Sequence, residues 1–451
     1  MKKALNLLLA AGMAASLAAC GNSGSTAAAA STAAAASAST DPTSITAEIT
    51  WWAFPLFTSE SGTSGDYEQS LVAEFNRKYP NIKVNVEMID YTNGPEKIIT
   101  AVEGGTAPDV LLDAPGRIID YGTSGYLVNM NDMISETGLA DDISNETILK
   151  ACSDGTDYWM YPTSAAPFVM AVNKTALEAA GLWDKIPQTG ERTWTTDEFE
   201  AVSKEMAAKG YNGVEIYAGG QGGDQGTRAF ITNLTGAKIM DDGLTKYTMD
   251  DEAGIAAFTM VNDAVKAGWM TGNTAGVAND ALEHFTTPTN STFWAVPLWS
   301  PNLAAARKAE LDASKQEAFA VSLPSKTGEP SLEYLVNGYA IFDNKDANKI
   351  AASKEFVKFL CDDETIGKQN VTNAKCFPVR KSFGDLYSGD ADMTYYASLT
   401  KYYGSYYNTV PGFAEMRPFW WGSLQAMLTG DKTPEDAAKY FTENANATLN
   451  Q

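Results

Sequence analysis

Asp113 and Arg117 stand four residues apart, just past the short apolar run Val110-Leu111-Leu112. A carboxylate accepts hydrogen bonds and a guanidinium donates them in a fixed fork, so the pair suits recognition of a polar ligand. Asp224, in the glycine-rich stretch Gly219 to Gly226, and Asn337 extend the polar candidates. The other conspicuous side chains are aromatic: 10 Trp, 20 Tyr and 18 Phe. Trp52 and Phe54 close the first strand-like run; Trp299, Trp420 and Trp421 fall near Pro, Gly or Asn. An aromatic face is apolar, rigid and edged by a polar tip. Aromatic platforms of this kind, with a few Asp, Asn, Arg and Gln beside them, would make a cleft that fits the C–H faces and hydroxyl rim of a sugar. The expected ligand contacts are therefore Trp52, Phe54, Asp113, Arg117, Asp224, Trp299, Asn337, Trp420 and Trp421.

Covalent chemistry has fewer candidates. His284 is the single histidine and sits in a helical apolar setting, which suits a packed residue better than a base. There is no His/Cys cluster with zinc spacing, no GxSxG elbow and no EF-hand loop. The glycine-rich stretch is followed by Thr227-Arg228 without the lysine of a phosphate loop, and reads as a flexible loop at a cleft edge. No cofactor, no metal and no catalytic residue is expected. A glycoside hydrolase with two carboxylates stays open as an alternative, because 56 acids are present and their spacing in space is not legible.

The chain that must position these residues opens MKKALNLLLAAGMAASLAAC, a positive start, an apolar run and small residues, which is a secretory signal over 1–19. Leu17-Ala18-Ala19-Cys20-Gly21 resembles the bacterial lipobox, in which the cysteine carries the lipid; Cys20 is the expected anchor, holding the protein on the membrane without spanning it. Residues 20–43 are Ala, Ser, Thr and Gly, too small and uncharged to bury a core, and read as a tether. About four hundred residues follow, more than one core accommodates, so two lobes are expected. The net charge of −23 argues against nucleic acid as a partner. Cys361 and Cys376 could pair, and Cys152 reads as a buried thiol.

Thr46 to Phe54 reads as a strand, Tyr67 to Tyr79 as a helix, Ile82 to Val86 as an alternating strand, Gly94 to Glu103 as a helix and Val110 to Leu112 as a buried strand. This βαβαβ order predicts a parallel α/β sheet, and ligands of such sheets lie past the carboxyl ends of the strands, where Asp113 and Arg117 stand. Further on, Thr195 with Glu198 fits a capping box.

Four segments, in order, resemble the extracellular solute-binding proteins of ABC importers, in particular the sugar-binding group (family 1) that includes maltose-binding protein. They are Ala107-Pro108-Asp109-Val110 with Gly125-Tyr126-Leu127; Trp159 to Pro162 with Val169 to Asn173 and Ala180-Gly181-Leu182; Thr193 to Phe199; and Asn337 to Ile341 with Ala351 to Leu360 and Phe377 to Arg380. The resemblance covers nearly all of the chain after the tether. It implies a two-lobed periplasmic-binding-protein-like α/β fold (type II) with a hinge and an interlobe ligand cleft. It further implies a receptor that captures a carbohydrate, an oligosaccharide, and delivers it to the membrane subunits of an ABC permease from the outer face of the cytoplasmic membrane. Such a receptor is a monomer and no enzyme; a non-sugar solute (a peptide, a polyamine or an anion) is the alternative ligand. Where relatives place Trp, Asp and Arg in the loop after the third strand, this chain has Asp113, Gly116 and Arg117; a sugar-contacting glutamate falls near Ala166, and a late aromatic run resembles Phe419-Trp420-Trp421. The lobes are expected at 44–155 with 292–343, and at 156–291 with 344–451.

Overall fold

The structure, a computed structural model, describes residues 41–59, 61–91 and 93–449. Cys20 and the expected signal lie outside the described residues. The first three strands are β1 (Ala47–Ala53), β2 (Ile82–Met88) and β3 (Val110–Asp113), linked by helices Asp66–Lys78 and Gly94–Glu103. They are parallel, with β1 between the other two; Ala47 lies opposite Ile82 and Trp51 opposite Val110. The predicted βαβαβ unit is therefore present. β3 is buried along its whole length, which is why Val110 to Leu112 is an unbroken apolar run.

β4 (Tyr161–Pro167) and β5 (Val169–Asn173) follow one another with one residue between, yet they belong to different sheets. β6 (Val214–Tyr217) pairs in parallel with β7 (Met270–Asn273), and β8 (Ala295–Trp299) and β9 (Ala318–Val321) flank β5 antiparallel. β10 (Tyr334–Ile341) then returns to the first sheet, inserted antiparallel between β3 and β4, and β11 (Phe377–Pro378) adds the edge. The six-stranded order is β11-β4-β10-β3-β1-β2.

Two apolar cores result. One gathers Trp51, Phe75, Leu111, Tyr161, Tyr339 and Phe356; the other gathers Val169 to Val172, Phe199, Phe230, Trp294, Trp299, Trp420 and Phe441. Chain segments divide between them differently from the expected lobe boundaries. β4 and helix Ala347–Asp362 belong with the first core, where Phe356 meets Trp51 edge-on at 5.2 Å, whereas β8 and β9 belong with the second. The physical reason is that a fully buried strand shows no pattern that selects its sheet; pairing partners far away in sequence decide it.

The chain passes between the two cores along neighbouring segments that are hydrogen-bonded side by side. Phe168 N donates to Glu333 O (2.9 Å), Leu332 N to Tyr402 O (2.8 Å) and Gly404 N to Leu332 O (2.9 Å). The capping box forms in both directions: Thr195 N donates to Glu198 Oε2 (2.8 Å) and Glu198 N to Thr195 Oγ1 (3.3 Å). Cys361 and Cys376 are free thiols rather than a disulfide, since one faces the first core from a helix and the other packs beside Ala166 and Ala374. Cys152 is a buried thiol, and burial raises its pKa.

Candidate functional site

β3 ends at Asp113, and Pro115 opens helix Pro115–Thr123, for which a missing N–H at the first turn costs nothing. Asp113 and Arg117 are thus one helical turn apart. Arg117 forks onto the carboxylate through Nε (2.8 Å to Oδ2) and Nη2 (2.5 Å to Oδ1), while Ala114 N donates to Oδ1 at 2.7 Å. The guanidinium also lies 5.1 Å over the ring of Phe54, one residue past β1. Burial opposes its charge, but the Asp113 carboxylate outweighs that and holds Arg117 above its ordinary value.

The opposite wall repeats the spacing. After β6 the loop leads to Asp224 at the start of helix Gln225–Thr235, and Arg228 pairs with it one turn on. Gly226 is required there: a Cβ would lie 2.2 Å from the Tyr217 hydroxyl and 2.8 Å from Leu298. Arg417, from helix Phe413–Thr429, reaches the same carboxylate with Nε at 3.1 Å and Nη2 at 2.6 Å. Arg228 is fully buried and also donates to the Tyr407 hydroxyl (2.7 Å) and lies 3.5 Å from Glu333 in the crossing segment. Tyr407 in turn donates to Glu333. Burial pushes the Glu333 carboxyl up, against the pull of Arg228.

Between these walls is a cavity of about 180 Å³, lined among others by Gly116, Arg117, Asp224, Arg228, Glu333 and Arg417. Gly116 allows the walls to approach, because a Cβ there would stand 3.0 Å from the Asn408 carbonyl oxygen. A wider groove of about 700 Å³ borders Asn233, Lys326 and Leu332 and shares Glu333, but neither Asp–Arg pair lines it in full. The smaller cavity is the better site, because it lies past the end of β3 where ligands of open α/β sheets bind.

Asp113, Arg117 and Phe54 lie together and Asp224 lines the same cavity as Arg117, while Trp52 on β1 is buried in the first core with the Lys97 ammonium 4.4 Å over its ring. Three expectations are corrected. Trp420 is 0% exposed, packed edge-on to Phe441 (5.3 Å) with its indole N–H donating to Thr227 Oγ1 (3.0 Å). It belongs to the buried stripe Phe413, Met416, Trp420, Leu424 and Met427, whose spacing is that of one helix face. Trp299 ends the fully buried β8 and packs edge-on to Phe285 at 5.8 Å. Asn337 spends its amide on Ser164 Oγ (3.1 Å) and Cys376 Sγ (3.6 Å) inside the first sheet. Trp421 is only partly buried, on the flank of the second core. His284 contacts Glu215 through Nδ1 at 2.8 Å and stacks on Phe293, away from the cavity. The site residues missed in sequence are Arg228, Glu333 and Tyr407. The repeat of Asp–three residues–Arg at 224–228 was the available signal for Arg228.

Helix Pro115–Thr123 also meets helix Phe413–Thr429 across the cleft. There Asp120 is pushed up to about 6, by burial first and by the Glu415 carboxylate second. A raised acid means the folded protein holds this proton more tightly than the unfolded chain does. The penalty for ionising Asp120 is full above pH 6, shrinks as the pH falls through 6, and is gone near pH 4. Asp120→Asn is therefore expected to melt above wild type at pH 7.5, with the gap closing by about pH 4. Paired melting curves across that range check it, and a gap independent of pH would sink it.

Residues 59–365 match the model of the bacterial extracellular solute-binding proteins, and the chain belongs to that family. An uncharacterized lipoprotein from the oleD 5′ region of Streptomyces antibioticus is 30% identical over 146 residues, which span 32% of this chain and 31% of that relative. Among solved structures, the GacH receptor of Streptomyces glaucescens, studied unliganded and with acarbose, superposes with TM-score 0.72 at 16% identity, over 90% of this chain and 99% of its own. A solute-binding protein of Thermotoga lettingae bound to α-D-tagatose gives 0.72 at 18% identity, over 90% and 100%. Protein Lmo0181 of Listeria monocytogenes with cycloalternan gives 0.70 at 18%, over 90% and 99%. The fold is that of the two-lobed binding proteins, and the family acts outside the cytoplasm.

Proposed function

We propose that this chain is the substrate-binding lipoprotein of an ABC importer. It captures a carbohydrate, an oligosaccharide, in the cleft between lobes that follow the two cores and delivers it to the membrane permease, anchored through Cys20 as a monomer. The carrying observation is the pair of Asp–Arg units on facing walls, each guanidinium held by a carboxylate. Arg117, Arg228 and Arg417 face Asp113, Asp224 and Glu333, so the site is balanced in charge and polar, which suits a neutral, hydroxyl-rich ligand better than an anion or polyamine. The sugars held by structural relatives support the same class. Commitment of the carboxylates to arginines supports binding over glycoside hydrolysis, in which one acid must be free to transfer a proton.

A thermal-shift screen of sugars, polyamines and carboxylates tests the proposal. A ligand at a hundred times its Kd adds about 2.7 kcal/mol of stability. Arg117→Ala is expected to weaken the sugar found by roughly 10- to 150-fold, the range for a hydrogen bond to a charged group. A shift with anions alone would replace the carbohydrate, and turnover of an oligosaccharide would replace the receptor.

A further inference from the structure

Tyr91 is the most exposed large apolar side chain among the described residues, at 61%. It stands in the loop after β2, three residues past the strand end and on the same side of the sheet as Phe54 and Asp113, which follow or end β1 and β3. Its ring is nearly parallel to that of Phe54, with an interplanar angle of 10° and centroids 4.9 Å apart. Phe54 is fixed in turn. Arg117 lies over it, and Gly94 presses on it so closely that a Cβ would meet its ring at 2.8 Å. Tyr91 is therefore held in place on one face while the other is open. Its hydroxyl lies near enough to Asp113 and Arg117 to feel both charges.

The cavity beside Arg117, about 180 Å³, is below the ~300–1,000 Å³ of pockets that enclose whole drug-sized ligands. A ligand of several rings would extend beyond it. A chain of side-chain contacts runs from that cavity through Arg117 and Phe54 to Tyr91. We infer that Tyr91 is an outer stacking platform: the terminal ring of an oligosaccharide enters the compartment at Arg117, and the following ring lies on the open face of Tyr91. This rests on the carbohydrate function proposed above and assigns the aromatic platform that Trp299 and Trp420 do not provide. Because Tyr91 is oriented before the ligand arrives, little ordering is required on binding.

Calorimetry of wild type, Tyr91→Ala and Tyr91→Phe against glucose, maltose, maltotriose, cellobiose and cellotriose tests it. Tyr91→Ala is expected to weaken the di- and trisaccharides roughly 2- to 12-fold and leave the monosaccharide unchanged, with Tyr91→Phe close to wild type. Melting temperatures of the three proteins should lie close together, since most of the Tyr91 side chain is exposed. No loss, or an equal loss for glucose and the longer sugars, overturns the platform while leaving the receptor function standing. A wild type that binds none of the sugars overturns both.

Discussion

Arg228→Met is expected to lower the unfolding free energy by about 3–5 kcal/mol and to abolish ligand binding, the usual cost of removing one partner from a buried ionic group. Arg228 is fully buried and bridges Asp224, Glu333 and Tyr407. Without it, Asp224 keeps only Arg417, and Glu333 keeps only the Tyr407 hydroxyl, in a site whose burial already disfavours the ionised carboxyl. Adding Glu333→Gln to the first change should recover part of the loss, because the second buried charge is then gone. Urea unfolding of the two variants measures this. A loss under about 1 kcal/mol for Arg228→Met would mean that water replaces the guanidinium, as it does at surface pairs.

Trp420→Ala carries the second large effect, again about 3–5 kcal/mol, through the cavity left where a fully buried indole stood against Phe258 and Phe441. The companion variant Trp420→Phe should keep the sugar affinity of wild type at a temperature where it is folded. Stability and affinity are therefore expected to separate at this residue. Loss of affinity in folded Trp420→Phe would return the indole to the ligand site and contradict its burial.

The contrast between Trp420 and Arg117 shows what was legible in the sequence. Arg117 is near a strand end in a βαβαβ pattern, and short-range order alone puts it at the ligand end of the sheet. Trp420 is next to Trp421 and close to Pro418, which suggests a loop, yet Phe413, Met416, Leu424 and Met427 complete a helical stripe that buries it. Periodicity over the whole segment outweighs the neighbourhood of one proline. Tyr91 was hidden for the opposite reason: nothing in its immediate sequence marks it, and its role depends on Phe54, which is thirty-odd residues away and joined to it only by the pairing of β1 with β2. The boundaries between lobes, and the fate of Cys361 and Cys376, likewise depend on which distant strand or helix packs where.

The return of β10 and β11 to the first sheet has a consequence for biosynthesis. That sheet contains β1, made first, and β11, made late, with the whole of the β5, β8 and β9 sheet emerging in between. Its strand β10 separates β3 from β4, so the edges of those two strands that face it cannot be paired until β10 has left the ribosome. Such long-range pairing is slow to form, because chain entropy is lost before contacts repay it. Completion of the first sheet is therefore expected to wait until most of the chain has been made.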